Sequence, residues 1–376
     1  MSVARLRRDT PERAGLDPRE LRALTAEFRA LTTGQRPWCA GAVVVAGRGP
    51  VIAVEEAAGW AVRYRAYDEV TDTGVELPPG ERVAATTDTP FDLASLTKLF
   101  TSFAAVQQLE RGTLGIDARV AAFLPDFTAA DAYGLTVRQL LTHTTGLRPE
   151  LPLYDLPGPA GRLAALRTEE PVHEPGGEYR YSDLNMLLLQ HVLERVTRRR
   201  LDHIIHEGIT RPLGMTATGF GPRPTAAATE DQRRPWAKLD RGMLRGVTHD
   251  ENAYALGGVA GHAGLFSTAR DLAVFCRMLL GGGSYGPARV LGADHVELML
   301  GLGLGFAVDR PWFMGELAGP AAAGHTGFTG TSLVLDRDSD TFLVLLANTV
   351  HPRRRPPDSA PRAALATRLK RAVRER

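Results

Sequence analysis

Two side chains separated by one helical turn could carry out nucleophilic chemistry. Ser95 and Lys98 form a Ser-x-x-Lys pattern, and apolar residues follow it at helical spacing. Because Pro90 and Asp92 stand where a helix is about to begin, we predict that Ser95 lies in the first turn of a helix and that Lys98 follows on the same face. A serine hydroxyl becomes a strong nucleophile when a nearby base takes its proton, and a lysine amine can be that base. The free N–H groups at a helix start would also stabilise an oxyanion.

Two later segments supply further groups that such a serine would need. Tyr181 precedes a predicted helix and could move protons between Ser95 and a leaving group; the alternative is a purely structural aromatic residue. His325 lies in a glycine-rich segment before a predicted strand, where it could donate to a substrate carboxylate or polarise Tyr181. Gly327 in that segment lets the backbone approach a ligand closely, and an edge strand there could pair with an extended substrate.

The order and spacing of these motifs resemble the three-motif set of penicillin-recognising serine hydrolases. The three motifs are Ser95 to Lys98, Tyr181-Ser182-Asp183 and His325-Thr326-Gly327. The branch that they resemble is the class C β-lactamase-like one, which includes esterases, D-stereospecific aminopeptidases, DD-carboxypeptidases and muropeptide amidases. The resemblance covers roughly residues 15–350.

The resemblance implies a role for each of these residues. Ser95 would be the acylated nucleophile, and Lys98 with Tyr181 would form the general-base system. The backbone N–H groups of Ser95 and Phe328 would form the oxyanion hole. His325 would stand in the place that lysine holds in true class C β-lactamases. Four residues would contact the substrate: Asp183, Thr326, Gly327 and His262.

The expected activity is hydrolysis of an ester or amide bond through an acyl-enzyme on Ser95. Asp183 stands where asparagine is commoner in this branch, and histidine at position 325 is more typical of an esterase or peptidase than of a lactamase. Two alternatives stay open: a penicillin-binding or sensor module that is acylated without turnover, and an acyltransferase. The substrate is a small molecule or a peptide, with esters, D-amino-acid peptides and muropeptides all compatible with the motifs.

Strand patterns at both ends of the chain and helix patterns between them predict an α+β fold. One antiparallel sheet is built from both termini and flanked by helices, with an all-helical region inserted, as in the β-lactamase/transpeptidase-like fold that the resemblance implies. We expect residues 1–95 and 255–376 to form the sheet region, residues 96–254 to be mostly helical, and the active site to lie at the seam. Residues 148–178 are predicted to be a long loop, and residues 219–247 a surface excursion.

Composition and charge narrow the class of protein. The 376 residues are 44% hydrophobic and 23% charged with a net charge of +2, which is typical of a globular protein and gives no electrostatic argument for nucleic acid. Cys39 and Cys276 are too few for a disulfide framework and are expected in the core. Because the basic N-terminus lacks an apolar segment and no long apolar run follows, we expect no secretory signal, no membrane span and a cytoplasmic location.

The run His249-Asp250-Glu251 has residue types that can bind a metal. Its spacing lacks a set of ligands on one helical face, so we predict no metal and no cofactor. A block of glycines around His262 follows it, and this block could bring His249, Asp250 or His262 near the substrate. The sequence leaves the oligomeric state open.

Overall fold

The computed structural model describes residues 4–374 of the chain. The strands in this range are β1 (Arg7–Arg8), β2 (Gly41–Arg48), β3 (Val51–Val62), β4 (Tyr64–Asp68), β5 (Thr73–Glu76), β6 (Val83–Ala84), β7 (Phe91–Asp92), β8 (Gly219–Phe220), β9 (Ala228–Gln232), β10 (Gly242–Arg245), β11 (Leu265–Ser267), β12 (Ser284–Tyr285), β13 (Ala288–Arg289), β14 (Ala307–Val308), β15 (Ala322–Thr326), β16 (Ser332–Asp336) and β17 (Thr341–Ala347).

The α-helices within the same residues are α1 (Pro18–Ala30), α2 (Thr97–Glu110), α3 (Thr128–Ala132), α4 (Val137–Thr142), α5 (Gly158–Thr168), α6 (Asp183–Thr197), α7 (Leu201–Ile205), α8 (Arg211–Leu213), α9 (Glu251–Ala255), α10 (Ala269–Leu280), α11 (Ala293–Gly301), α12 (Pro311–Met314) and α13 (Ala360–Ala372). Among residues 4–374, no helix combines the length and apolar character needed to cross a membrane.

The largest sheet joins the two ends of the chain. Its strand order is β1-β3-β2-β17-β16-β15-β14, with β6 beside β3, and every pairing except β1 with β3 is antiparallel. The central strands β2 and β17 are apolar and almost entirely buried, because helices cover both faces of the sheet. Val43 and Val45 face the cluster that includes α10, whereas Val44 and Ala46 face the cluster of α1 and α13. The α+β fold predicted from the sequence is confirmed.

Helix α2 is the centre of the helical region between residues 96 and 254. Nearly all of its residues are buried, because α6 and α7 pack on one side and α11 on another. A helix that is buried all round needs apolar residues beyond one stripe, and α2 supplies them with Leu99, Phe100 and Phe103. The short strands β8, β9 and β10 lie in the same part of the chain as helices α2 to α9.

The structure corrects two predictions about the connecting segments. Residues 148–178 are not one long loop, because they contain a 3₁₀ turn and helix α5, which starts at Gly158 with a proline in its first turn. Residues 219–247 are not a surface excursion, because β9 is entirely buried and pairs with β10. The polar residues of β9 are tolerated inside since they are paired; Glu230 bonds Arg354 at 2.7 Å, a partner 124 residues away.

Candidate active site

Ser95 lies in a 3₁₀ turn that joins β7 to α2, two residues before the start of the α-helix that we predicted would contain it. The preceding residue, Ala94, has φ of 47°, a left-handed conformation that costs a residue with a Cβ about 1 kcal/mol. The buried carboxylate of Asp92 holds this turn. It accepts hydrogen bonds from the backbone N–H of Ala94 at 2.8 Å and of His249 at 2.7 Å. The Ala94 contact is local, whereas the contact with His249 joins residues 157 positions apart and exists only in the folded chain.

Three of the predicted catalytic side chains meet at one atom. Lys98 Nζ donates to Ser95 Oγ at 2.9 Å, and Tyr181 Oη donates to the same oxygen at 2.8 Å. Lys98 Nζ also lies 4.8 Å from the centre of the Tyr181 ring. Both groups donate to the serine oxygen, so either one could accept the Ser95 proton after it has lost its own.

Lys98 is fully buried at 0% exposure, and three oxygens surround its amine. Besides Ser95 Oγ, it donates to the carbonyl oxygen of His262 at 3.1 Å and forms an ion pair with Asp183 Oδ1 at 2.8 Å. Burial lowers the pKa of Lys98, but the charge of Asp183 and the contact with Tyr181 outweigh burial, so the pKa is raised above its ordinary value. Burial raises the pKa of Tyr181 more than Lys98 lowers it. At neutral pH the resting site therefore holds an ammonium and a neutral phenol.

The loop after β15 brings a second backbone donor toward Ser95. Neither Ser95 N–H nor Phe328 N–H has a hydrogen-bond partner within residues 4–374. Gly327 sits against the carbonyl oxygen of Leu93 and the hydroxyl of Thr331, where a Cβ would collide with both. Glycine is thus required for the loop to approach the Ser95 turn so closely. Ser95 and Phe328 line the same cavity, so both N–H groups are available for the oxyanion hole that the resemblance implies.

His325 is held as a neutral ring beside Tyr181. Its Nδ1 donates to the carbonyl oxygen of Thr326 at 2.7 Å, and the two rings lie 6.0 Å apart. Burial and the nearby Lys98 charge lower the pKa of His325 to about 4. At neutral pH the remaining nitrogen, Nε2, is therefore a hydrogen-bond acceptor. The expectation that His325 donates to a substrate carboxylate does not fit this geometry.

His143 is a site residue that the sequence reasoning missed. Its Nδ1 accepts hydrogen bonds from Ser182 N–H at 3.2 Å and from the Asn185 side-chain amide at 3.0 Å, and its ring stacks on Tyr181 at 5.0 Å. Burial and the Lys98 charge lower the pKa of His143 to about 3, so the ring is neutral. The residue follows helix α4 in a left-handed conformation, and no sequence spacing connects it with Tyr181.

Two residues predicted to contact the substrate lie behind the nucleophile. His262 is only 1% exposed, and its Nε2 bonds Asp250 Oδ1 at 2.9 Å, while Asp183 pairs with Lys98. The ligand atoms of Asp183, Asp250 and His262 lie within 4.8 Å of one another, and the cation that faces them is the Lys98 ammonium. Burial would lower the pKa of His262, but Asp250 raises it; burial would raise the pKa of Asp250, but His262 lowers it. The Asp250–His262 pair is therefore a buried, structural part of the site that lies next to Lys98.

The other two residues of the 249–251 run support the oxyanion loop. His249 Nε2 bonds Glu230 at 2.8 Å and its ring stacks on Phe328 at 5.7 Å. Glu251 pairs with Arg354 at 2.5 Å, and Arg354 lies 5.8 Å from the Phe328 ring. Burial raises the pKa of Glu230, but its bonds to His249 and Arg354 lower it to about 2. Phe328 therefore packs against His249 and Arg354, each of which is paired with a glutamate.

A cleft of about 1140 Å³ opens in front of Ser95. The predicted substrate-contact residues Thr326 and Gly327 line it, and Asp183 and His262 do not. Its walls carry six aromatic side chains: Trp38, Tyr179, Tyr181, Trp312, Phe313 and Phe328. The charged lining residues are one acid, Asp358, and four arginines: Arg36, Arg310, Arg355 and Arg362. Within residues 4–374 the first three arginines make no ion pair, whereas Arg362 donates to the carbonyl oxygen of Gly327 at 3.2 Å.

The chain belongs to the Beta-lactamase family, whose model matches residues 24–368. A stretch of 310 residues is 36% identical to a protein of Escherichia coli (strain K12) provisionally named D-alanyl-D-alanine carboxypeptidase, covering 72% of this chain and 71% of that one. The family resemblance predicted from the three motifs is confirmed.

Solved structures share the fold at low sequence identity. EstCE1, a hydrolase with promiscuous acyltransferase activity, matches with a TM-score of 0.70 at 20% identity, over 94% of this chain and 98% of that one. A class C β-lactamase from Rhodobacter sphaeroides matches with a TM-score of 0.67 at 22% identity, over 93% and 99%.

Proposed function

We propose that this protein is a serine acyl hydrolase that forms an acyl-enzyme on Ser95 and releases it with water. The observation that carries the proposal is the pair of hydrogen bonds to Ser95 Oγ, from Lys98 Nζ at 2.9 Å and Tyr181 Oη at 2.8 Å. Membership of the Beta-lactamase family supports the same chemistry.

In the proposed reaction, the Lys98 ammonium first releases its proton to water. Ser95 Oγ then attacks the substrate carbonyl carbon and passes its proton to the free amine of Lys98. The carbonyl oxygen takes up the negative charge and receives hydrogen bonds from Ser95 N–H and Phe328 N–H. Tyr181 Oη, 2.8 Å from Ser95 Oγ, protonates the leaving group as the tetrahedral intermediate collapses. Water then attacks the acyl-enzyme through the same groups in reverse order.

The substrate class that fits the cleft best is a peptide or ester with a free carboxylate next to the scissile bond. The arginine-rich lining favours an anion, and Arg310 lies near enough to Tyr179, another lining residue, for its charge to oppose the rise that burial causes in the pKa of that phenol. Support also comes from the relative named as a D-alanyl-D-alanine carboxypeptidase. Because His325 is neutral, the positive charge that attracts the substrate carboxylate comes from the arginines that line the cleft.

Intact-protein mass spectrometry with p-nitrophenyl acetate tests the acyl-enzyme. We expect a transient acetyl adduct on the wild type and none on Ser95→Ala, with steady release of p-nitrophenolate. A persistent adduct would favour the penicillin-binding or sensor alternative, and product formed only with added alcohol or amine would favour an acyltransferase. Labelling of Ser95→Ala at the wild-type rate would refute the proposal.

A comparison of two substrates tests the carboxylate preference. For Arg310→Met, we expect kcat/KM for a D-Ala-D-Ala peptide to fall about 10-fold more than kcat/KM for p-nitrophenyl acetate, the effect of losing about 1.4 kcal/mol of charge-assisted binding. Arg199→Met is the matched control, because Arg199 is exposed and does not line the cleft. Equal losses for both substrates would contradict the preference.

A further inference from the structure

Arg362 is a buried cation in the first turn of helix α13, and its side chain is not needed there for stability. The residue is only 6% exposed. The other arginines of this helix are paired, Arg368 with Glu27 and Arg371 with Glu316, whereas within residues 4–374 Arg362 forms no ion pair. A buried charge without a counter-charge is costly, and the positive end of the helix dipole disfavours a cation in the first turn. Neither the helix nor an ion pair therefore accounts for a positive charge at this position.

Neighbouring groups hold the guanidinium of Arg362 against the cleft. Its Nη1 donates to Ser359 Oγ at 2.9 Å, and its Cζ lies 5.5 Å from the centre of the Trp38 ring. Ser359 precedes α13, yet its side chain caps no N–H of the helix. With these contacts in place, Nη2 donates to the carbonyl oxygen of Gly327 at 3.2 Å. Burial lowers the pKa of Arg362 to about 10, and the charge of Asp358 opposes that change, so the group is a cation at pH 7.

The carbonyl group that Arg362 contacts belongs to the peptide that carries the Phe328 N–H. Gly327 C=O and Phe328 N–H are the two ends of one planar amide, so a positive charge beside the oxygen increases the positive charge on the N–H hydrogen. That N–H has no hydrogen-bond partner within residues 4–374 and is free to meet an oxyanion. Gly327 O also accepts from Gly330 N–H at 3.1 Å. The loop is thus closed by a neutral hydrogen bond, and Arg362 adds a charged one.

We infer that Arg362 polarises the Gly327–Phe328 peptide and so strengthens the hydrogen bond that Phe328 N–H donates to the oxyanion. This inference rests on the proposed acyl-enzyme chemistry. Arg362 is a positioning residue, because it acts through the peptide and touches none of the reacting atoms. A stronger donor stabilises the charged oxygen of the transition state more than the neutral carbonyl oxygen of the substrate. The effect should therefore appear in the rate of acylation and not in substrate binding.

The first test is acylation of Arg362→Met by p-nitrophenyl acetate, followed as the burst of p-nitrophenolate. This ester is neutral, so it has no carboxylate for a cleft arginine to bind, and methionine keeps an unbranched side chain without the charge. Removing an oxyanion donor slows a reaction about 100- to 1000-fold, so removing a group that acts through such a donor should lower the burst rate constant at saturating ester about 10-fold. The ester concentration that gives half of the maximal burst rate should change by less than about twofold.

The thionoester analogue of the same substrate, in which sulfur replaces the carbonyl oxygen, separates polarisation from a structural role. Sulfur is a weak hydrogen-bond acceptor, so the negative charge that develops on it gains little from Phe328 N–H. Arg362→Met should therefore slow acylation by the thionoester less than about threefold while it slows acylation by the ester about 10-fold. A variant that merely displaced Ser95 or Lys98 would slow both substrates by the same factor.

Two conservative variants separate the charge of Arg362 from its capacity to donate a hydrogen bond. Arg362→Lys keeps a cation and should recover at least about threefold of the lost ester rate, because a charged donor is stronger than a neutral one. Arg362→Gln keeps only a neutral donor and should react as slowly as Arg362→Met. Arg371→Met is the matched control, because Arg371 belongs to the same helix but is exposed and does not line the cleft. It should react with both substrates like the wild type.

Acylation of Arg362→Met by the ester at the wild-type rate would overturn the inference, as would an equal loss for the ester and the thionoester. If Arg362→Met fails to fold, the two conservative variants decide: Arg362→Gln as fast as Arg362→Lys would overturn it. A wild type that is never acylated would instead refute the proposed function itself. The two failures are therefore distinguishable.

Discussion

Removal of Lys98 should separate the stability of this site from its activity. In Lys98→Met, the carboxylate of Asp183 keeps its charge but loses the ammonium 2.8 Å away. Removing one partner of a buried ion pair lowers the free energy of unfolding by about 3–5 kcal/mol. Because the Asp183 side chain is 20% exposed, we expect a loss near the lower end, about 3 kcal/mol. With about 2.1 cal/mol/K of unfolding entropy per residue, 376 residues give a Tm decrease of about 4 °C.

The double variant Lys98→Met/Asp183→Asn should recover most of that loss. Both charges are then gone, and a neutral pair needs no compensation, so its free energy of unfolding should lie within about 1 kcal/mol of the wild type. Neither variant should acylate at more than about one-hundredth of the wild-type rate, because the base is absent from both. The pKa of Lys98 is raised in the folded state, so its contribution to stability is complete at pH 7 and is lost only when pH rises through that raised value.

Thermal unfolding followed by circular dichroism at pH 7 measures the stabilities, and the p-nitrophenolate burst measures acylation. A matched surface replacement, Lys370→Met in the exposed face of α13, controls for the loss of a lysine. The reasoning would be wrong if Lys98→Met were as stable as the wild type, or if the double variant were no more stable than the single one.

Two other perturbations follow from the contacts behind the nucleophile. Asp250→Asn keeps the bond to Ala253 N–H but loses the charge that pairs with His262, and it should destabilise the fold by about 1–2 kcal/mol. Because the pKa of Asp250 is lowered in the folded state, its contribution to stability is present above about pH 4; because the pKa of His262 is raised, its contribution to stability fades above about pH 6.5. The Tm difference between Asp250→Asn and the wild type should therefore be larger at about pH 6 than at about pH 9. The opposite order would contradict the pairing of Asp250 with His262. In Asp92→Asn, the side chain can accept a hydrogen bond from only one of the two backbone N–H groups that Asp92 now satisfies. The Ser95 turn should loosen, and the rate of the p-nitrophenolate burst should fall about 10- to 100-fold. An unchanged burst rate would show that the turn keeps its conformation without these hydrogen bonds.

Local signals in the sequence predicted the parts of the site that depend on short spacing. Ser95 and Lys98 are three residues apart, and any helical continuation places them on one face. The apolar periodicity of α2 and the two runs of β2 and β3 around a Gly-Pro turn were sufficient to predict those elements. The order of the three motifs was sufficient to predict the family and the fold.

Contacts between distant parts of the chain could not be read in this way. The sequence of β9 is polar, as in a surface segment, and its burial depends on the pairing of Glu230 with Arg354, which lies 124 residues away in the chain. Helix α5 was hidden because proline and glycine mark both loops and helix starts, and only packing distinguishes them. His143 has no sequence feature that connects it with Tyr181, since the contact is a ring stack across two elements.

The sequence by itself determined which groups could react: a serine, a lysine and a tyrosine in a set order, on elements whose local patterns are strong. The tertiary structure decided what state those groups are in. It buried Lys98 against Asp183, made His325 a neutral acceptor and paired Asp250 with His262. Protonation depends on burial and on the distance to other charges, and those quantities exist only once the chain has folded.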